Sequence, residues 1–439
     1  MRSDPIDTTL ESIQREEAEA AVHYRRNFVA GLIHGVFFQM SVAFSDITTV
    51  LPAFITYLTP GAVSVGLIST IQGIGEIIPQ LFTAHLIDGK AHKKKYLLAI
   101  ITLRWLSWAL LAWLVFEFTL TRPMLVLGVL ITLFAVFSLA GGMGTVIYAD
   151  IFARAIPARR RGRFAGSKQI GGFILAILAG AIVTRILANE TRFPFPVNYS
   201  LIFALAALAL AVALIGFALI KEPPATATRQ NKSFQEMLHQ GMALVSANPN
   251  MRLFLASRAI MGVAIGMAPF YVVYARQAPD FQASTVGVFL TAQMIGAALS
   301  NILWAWMADA HGNKSVIIVS VAGAGMAAVV AVLAPMVYPA AYIVVFVLVG
   351  GMMSGMRIGY GNFILEMAPP AVRAACVAWQ NTLIAPVMFL PLIAGALLGT
   401  AISFPLFFGI EAAIMAIGLV VSWRLVDPRH DPTGVCVTP

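Results

Sequence analysis

Long apolar runs separated by short polar stretches dominate the chain. A helix rises about 1.5 Å per residue, so about 20 mostly apolar residues cross the hydrocarbon core of a bilayer. Twelve stretches reach that length, at 28–57, 62–86, 96–118, 124–149, 165–186, 199–220, 251–275, 284–307, 315–335, 340–363, 375–397 and 403–424. Most connections are short. The exception is 221–250, which opens on Pro223-Pro224 and is polar enough for a linker. The pattern predicts an all-α polytopic membrane protein with twelve transmembrane helices in two six-helix halves. Its parts are an N-terminal segment 1–27, a first half 28–220, the linker 221–250, a second half 251–424 and a tail 425–439.

Composition agrees. Hydrophobic residues make up 59% of the 439 and charged residues 11%, against roughly a quarter charged in soluble domains. That balance excludes a soluble enzyme, a disordered chain and a disulfide scaffold. The two cysteines, Cys376 and Cys436, make no framework of bridges, and the seven histidines show no metal-ligand spacing. The first 26 residues are polar and lack a basic-then-apolar secretion signal. The net charge of +9 is unevenly placed. One set of loops carries Lys93, Lys94, Lys95, Arg159, Arg160, Arg161, Lys221, Lys314, Arg373 and Arg424, and the other little beyond Arg122, Arg192 and Arg276. Positive loops stay inside, so both termini and the linker are expected in the cytoplasm, and the charge reports topology instead of nucleic-acid binding.

The chain also repeats. Val65-Gly66, Thr70, Gln72 and Ile74-Gly75 recur 221 residues later as Val286-Gly287, Thr291, Gln293 and Ile295-Gly296, and the offset carries Asp88 to Asp309 and Lys93 to Lys314. Tyr148, Pro157 and Arg161 recur as Tyr360, Pro369 and Arg373. Two blocks in order imply duplicated halves. With the charged short loops after spans 2 and 8, the whole resembles the major facilitator superfamily. The loop from Trp304 through Asp309, Gly312 and Lys314 fits that family's signature apart from its first glycine, and the copy around Asp88 keeps the acid and the cations. Pro157–Gly162 resembles the family's loop after span 4. The family's drug–proton antiporters carry an arginine in span 4 and a Gly-Pro pair in span 5. Here the first place holds Phe137 and the second motif is absent, which lowers that reading.

The resemblance implies a latch in which Asp88 and Asp309 pair with Arg161 and Arg373 in one conformation and release them in another. The competing reading is that these are solvated topology signals.

An ionisable group inside a bilayer is costly and therefore a functional candidate. Asp46 in span 1 and Glu76 in span 2 are the proton-coupling candidates, because low dielectric favours a neutral carboxyl group. Either one has the rival role of neutralising a buried arginine. On a continuous helix Gln39 shares the face of Asp46, and His34 marks a second polar face with Ser41, Ser45 and Thr48. Gln72 lines up with Glu76, and Gln293 is its repeat partner. Arg258 and Arg357 fall on spans 7 and 10, which the resemblance places at the cavity, where they suit an anionic substrate group or a carboxylate partner; the rival reading is a structural ion pair. Tyr148 and Tyr360 complete the cavity candidates. Arg104 and Arg185 read as snorkelling side chains.

The sequence thus points to a secondary active transporter of a small solute, working by alternating access with proton coupling. A drug or metabolite exporter of the same fold, or a receptor or scaffold without turnover, are the alternatives. No nucleophile–base pair, phosphate loop, metal cluster or cofactor motif points to an enzyme. The expected partners are the solute, protons and the lipid bilayer. The expected state is a monomer in a bacterial cytoplasmic (inner) membrane.

Overall fold

The computed structural model describes residues 21–86, 90, 92–223, 248–368, 373–398 and 400–430. Among these residues the chain is helical almost throughout. Eleven stretches are long and apolar enough to cross a membrane. The 24-residue helix Val63–Leu86 stands in the place of the second span, made less apolar by Gln72, Glu76 and Gln80. The chain is a multi-pass membrane protein.

The helices are α1 (Tyr24–Phe44), α2 (Val50–Leu58), α3 (Val63–Leu86), α4 (Lys94–Phe118), α5 (Pro123–Ala155), α6 (Arg161–Ala188) and α7 (Val197–Ala218). They continue as α8 (Pro249–Ala275), α9 (Thr285–His311), α10 (Asn313–Val337), α11 (Ile343–Met367), α12 (Arg373–Ile384), α13 (Leu390–Leu397) and α14 (Phe404–Trp423). Local sequence explains several ends. Asn248 caps α8, accepting from the amides of Asn250 at 2.8 Å and Met251 at 3.1 Å, with Pro249 at the first position, where a missing N–H costs nothing. Gly312, at φ 88°, makes the turn between α9 and α10 that a side chain would strain.

The first span is not one helix, as the run 28–57 suggests. It stops at Phe44 and resumes at Val50. Ser45 turns its hydroxyl back to the Ser41 carbonyl at 2.9 Å, and Pro52 has no N–H to offer the carbonyl of Thr48, where its ring would also clash with a continuous helix. The eleventh span is likewise interrupted, with a 3-10 turn at Ala385–Phe389 between α12 and α13.

Compact units do not follow the two halves of the sequence. One comprises Met1–Ser45, Gly75–Ala179 and Phe195–Asn231, and the other Asp46–Ile74, Gly180–Pro194 and Lys232–Pro439. In the first, α1 packs on α7, and α4 packs on α5 and α7. In the second, α11 packs on α9 and α10, α14 packs on α8 and α10, and the short α2 lies against α8 and α9. The core of α2 is sealed: Val50, Leu51, Ala53, Phe54 and Ile55 are wholly buried.

Each unit carries the same clasp. In the first, Asn27 bonds both backbone groups of Lys221, accepting from its amide at 2.8 Å and donating to its carbonyl at 2.9 Å. In the second, Asn250 does the same to Val426, at 2.9 and 3.0 Å.

Candidate functional site

Asp46 sits in the break between α1 and α2, only 7% exposed. Its Oδ1 accepts from the amides of Thr48 and Thr49, both at 2.9 Å, and from their hydroxyls at 2.6 and 2.9 Å. Gln293 of α9, 3% exposed, reaches Oδ2 through Nε2 at 3.4 Å, and its Oε1 lies 2.7 Å from the Thr48 hydroxyl. All these donors are neutral. Among the described residues no cation lies within ion-pair distance of Asp46. The carboxylate therefore does not neutralise a buried arginine in this conformation. The break also removes the shared helical face with Gln39. Beyond it, Arg276 donates to the Ala53 carbonyl at 2.6 Å and lies 3.8 Å over the Tyr57 ring, pinning α2 to the end of α8.

The other candidates in this unit are spread out. Tyr360 is wholly buried and ties α11 to α8 through Ser257 Oγ at 2.6 Å, with Ser422 bonded to the same Ser257 at 2.8 Å. Arg258 is half-buried, 5.5 Å from the Tyr360 ring. Gln72 is half-buried on α3, and Arg357 is exposed on α11.

In the first unit His34, Tyr148, Glu76 and Gln39 are found. His34 is buried and donates from Nδ1 to the Ala213 carbonyl at 2.9 Å, so it joins α1 to α7. Its ring lies 5.5 Å from that of Tyr148, whose hydroxyl is 3.3 Å from Lys168 Nζ. Gln39 is half-buried, and Glu76 is exposed, with its charge acting on Arg104. Arg104 does not snorkel toward a helix end. Its guanidinium is turned across to α5, 3.9 Å from the Phe137 ring and 4.9 Å from Phe38.

At the loops, Arg161 closes the end of α5 by donating to the carbonyls of Ile156, at 3.1 Å, and Ala153. Asp309 is exposed and Lys314 half-buried. Asp88 lies outside the described residues, as does the side chain of Arg373. A tighter ionic cluster is present that the sequence reading passed over. Glu222 accepts from the amides of Lys93 and Lys94, at 2.8 and 2.9 Å, at the start of α4. Arg154 reaches Glu222 at 3.3 Å and Asp150 at 2.5 Å, and Lys93 reaches Asp150 at 3.1 Å.

Two intramembrane charges were also missed, Lys168 and Glu411. Glu411 on α14 is 2% exposed and accepts from the Tyr271 hydroxyl at 3.1 Å, while its Oε2 has no hydrogen-bond partner. A carboxylate inside the last apolar run was the signal. No group of three or more His, Cys, Asp or Glu able to hold a metal occurs among the described residues.

The fold is similar to that of solved transporters. A variant of the nucleoside transporter NupG matches at TM-score 0.69 and 16% identity, over 91% of this chain and 100% of that one. A D-xylose–proton symporter matches at 0.67 and 14%, over 91% and 96%. An autoinhibited peptide transporter of the POT family matches at 0.70 and 12%, over 92% and 98%. No curated protein sequence matches the chain. The sequence model of the Major Facilitator Superfamily matches residues 253–435. The sequence likeness to the Major Facilitator Superfamily thus covers that C-terminal stretch, and along nearly its whole length the chain is similar in fold to these solved transporters.

Proposed function

We propose that the chain moves a small solute across the membrane by alternating access and couples the movement to protons at Asp46. The fold supports the first part, and the likeness to a D-xylose–proton symporter is consistent with the second. The observation that carries the second is the number of hydrogens around Thr48. Its hydroxyl has one hydrogen, yet Oγ1 lies 2.6 Å from Asp46 Oδ1 and 2.7 Å from Gln293 Oε1. With Asp46 ionised, both neighbours are acceptors and one short contact lacks a hydrogen. A proton on Asp46 Oδ2 removes the conflict once the Gln293 amide turns over: Oδ2 donates to Gln293 Oε1, Nε2 donates to the Thr48 hydroxyl, and Thr48 keeps its bond to Oδ1. When the proton leaves, the amide turns back and Nε2 donates to the ionised Oδ2. Loading the carboxyl group thus reorients a side chain on α9, which gives the proton a lever on a second helix.

Asp46→Asn fixes the neutral state without removing the bonds from the Thr48 and Thr49 amides. In proteoliposomes carrying a pH-sensitive dye, the wild type should acidify or alkalinise the lumen when its solute is added from a panel. The variant should lose gradient-driven accumulation at least several-fold and keep solute exchange at equal pH. Wild-type accumulation in the variant would remove Asp46 from the coupling.

A further inference from the structure

We propose that the first unit contains a recognition site for a small organic oxyanion, a carboxylate or phosphoryl group, built on Arg104 and Lys168. Both cations lie inside spans, where an unpaired charge is costly and faces a polar cleft in preference to lipid. Phe137 and Phe38 flank the guanidinium of Arg104, and its buried Nε has no hydrogen-bond partner. Aromatic rings hold a guanidinium by its flat faces and leave its edge, the part that grips an oxyanion in two parallel bonds, unused. Lys168 lies 5.1 Å over the Tyr148 ring and bonds the hydroxyl of that tyrosine, so its ammonium is held by neutral groups. The two cations lie against the same turn of α1, the stem of Lys168 at Gly35 and the guanidinium of Arg104 at Phe38. Glu76 is the one carboxylate acting on Arg104 among the described residues. Two cations against one carboxylate leave a positive charge that an anion would satisfy.

The backbone is shaped for both side chains. A methyl group on Gly35 would collide with the stem of Lys168, and one on Gly141 would come within 3.3 Å of the Arg104 guanidinium carbon. Glycine at these two places lets each cation lie flat against a neighbouring helix. Snorkelling requires neither glycine.

Calling this anion the transported solute rests on the function proposed above, but its binding does not, so the test reads binding alone. Purified full-length protein is melted at fixed pH and ionic strength with benzoate, phenyl phosphate or benzyl alcohol. A ligand of the folded state raises the melting temperature. One or both anions should raise it by a few degrees and the alcohol should not; the anion that acts tells a carboxylate site from a phosphoryl site. The shift should vanish in Arg104→Gln and Lys168→Gln, shrink in Gly35→Ala and persist in Arg185→Gln, whose cation is exposed elsewhere on α6. Without ligand, Arg104→Gln should melt no lower than the wild type, because a cation held for a ligand is a burden on the empty protein. A lower melting point would instead make Arg104 a structural counter-ion of Glu76 and overturn the proposal. So would anions that leave the wild type unmoved, or shifts that survive in both glutamine variants. If a neutral solute then drives proton flux, the anion site falls and the transporter reading stands.

Discussion

At the scale of single residues, burial and partners separate the charges that hold the fold from those free to act. The Glu222 side chain is 4% exposed, accepts from two amides at the start of a helix and meets Arg154. The positive end of α4 and the guanidinium both favour its negative charge. Glu222→Gln should therefore cost about 1–3 kcal/mol of stability. Asp309→Asn, at an exposed site, should fall within about 0.5 kcal/mol of the wild type. Paired melting or denaturant curves check both, and equal curves would show that the Glu222 cluster contributes nothing net. Asp46 was legible in the sequence because a carboxylate amid apolar residues stands out. Glu411 meets the same criterion and shows how easily one such residue is passed over. The partners of these groups were not legible. Gln293 is far from Asp46 in sequence, and only packing brings them together. The same holds for Arg104: its distance from the helix end suggested snorkelling, whereas Phe137 and Gly141 on another helix decide where it points.

Among the elements, the broken first span departs most from a reading by hydropathy. An apolar run reports length, and the run 28–57 is long enough for a continuous helix. The break was nevertheless written in Ser45, Asp46, Thr48, Thr49 and Pro52, four side chains that compete for backbone bonds and one residue without an amide hydrogen. Pro52→Ala restores the N–H that a continuous helix needs. The variant should be at least as stable as the wild type, because the change relieves a helix-breaking residue. It should also lose flux several-fold, since a straightened segment pulls Thr48 away from Asp46. Hydrogen exchange over 46–52, measured beside flux, tests this. Slower exchange with undiminished flux would mean that the break has no part in transport.

For the whole molecule, the count and length of the spans were readable from the sequence, because a bilayer imposes one length on every crossing. The compact units were not. Residues 46–74 and 180–194 belong to the first half of the sequence and yet pack in the unit that holds the second half. Hydropathy has no information about which helix ends keep company. Orientation is a prediction of the lysine and arginine pattern. In a background lacking Cys376 and Cys436, Arg160→Cys should react with an impermeant thiol reagent only after cells are opened. Asp280→Cys should react in intact cells. Both positions are exposed, so reactivity reports the side of the membrane. The reverse pattern would invert the topology.

The paired asparagine clasps bear on how such a chain arises. In each case the first helix of a repeat grips the backbone just past its last, so the beginning and end of the segment are fastened to each other. A segment that ties its own ends needs nothing from its neighbour to do so. Copied end to end by a single duplication event, it would bring its fastening with it. The connecting stretch would then be free to change in length and composition while each copy diverged toward its own chemistry.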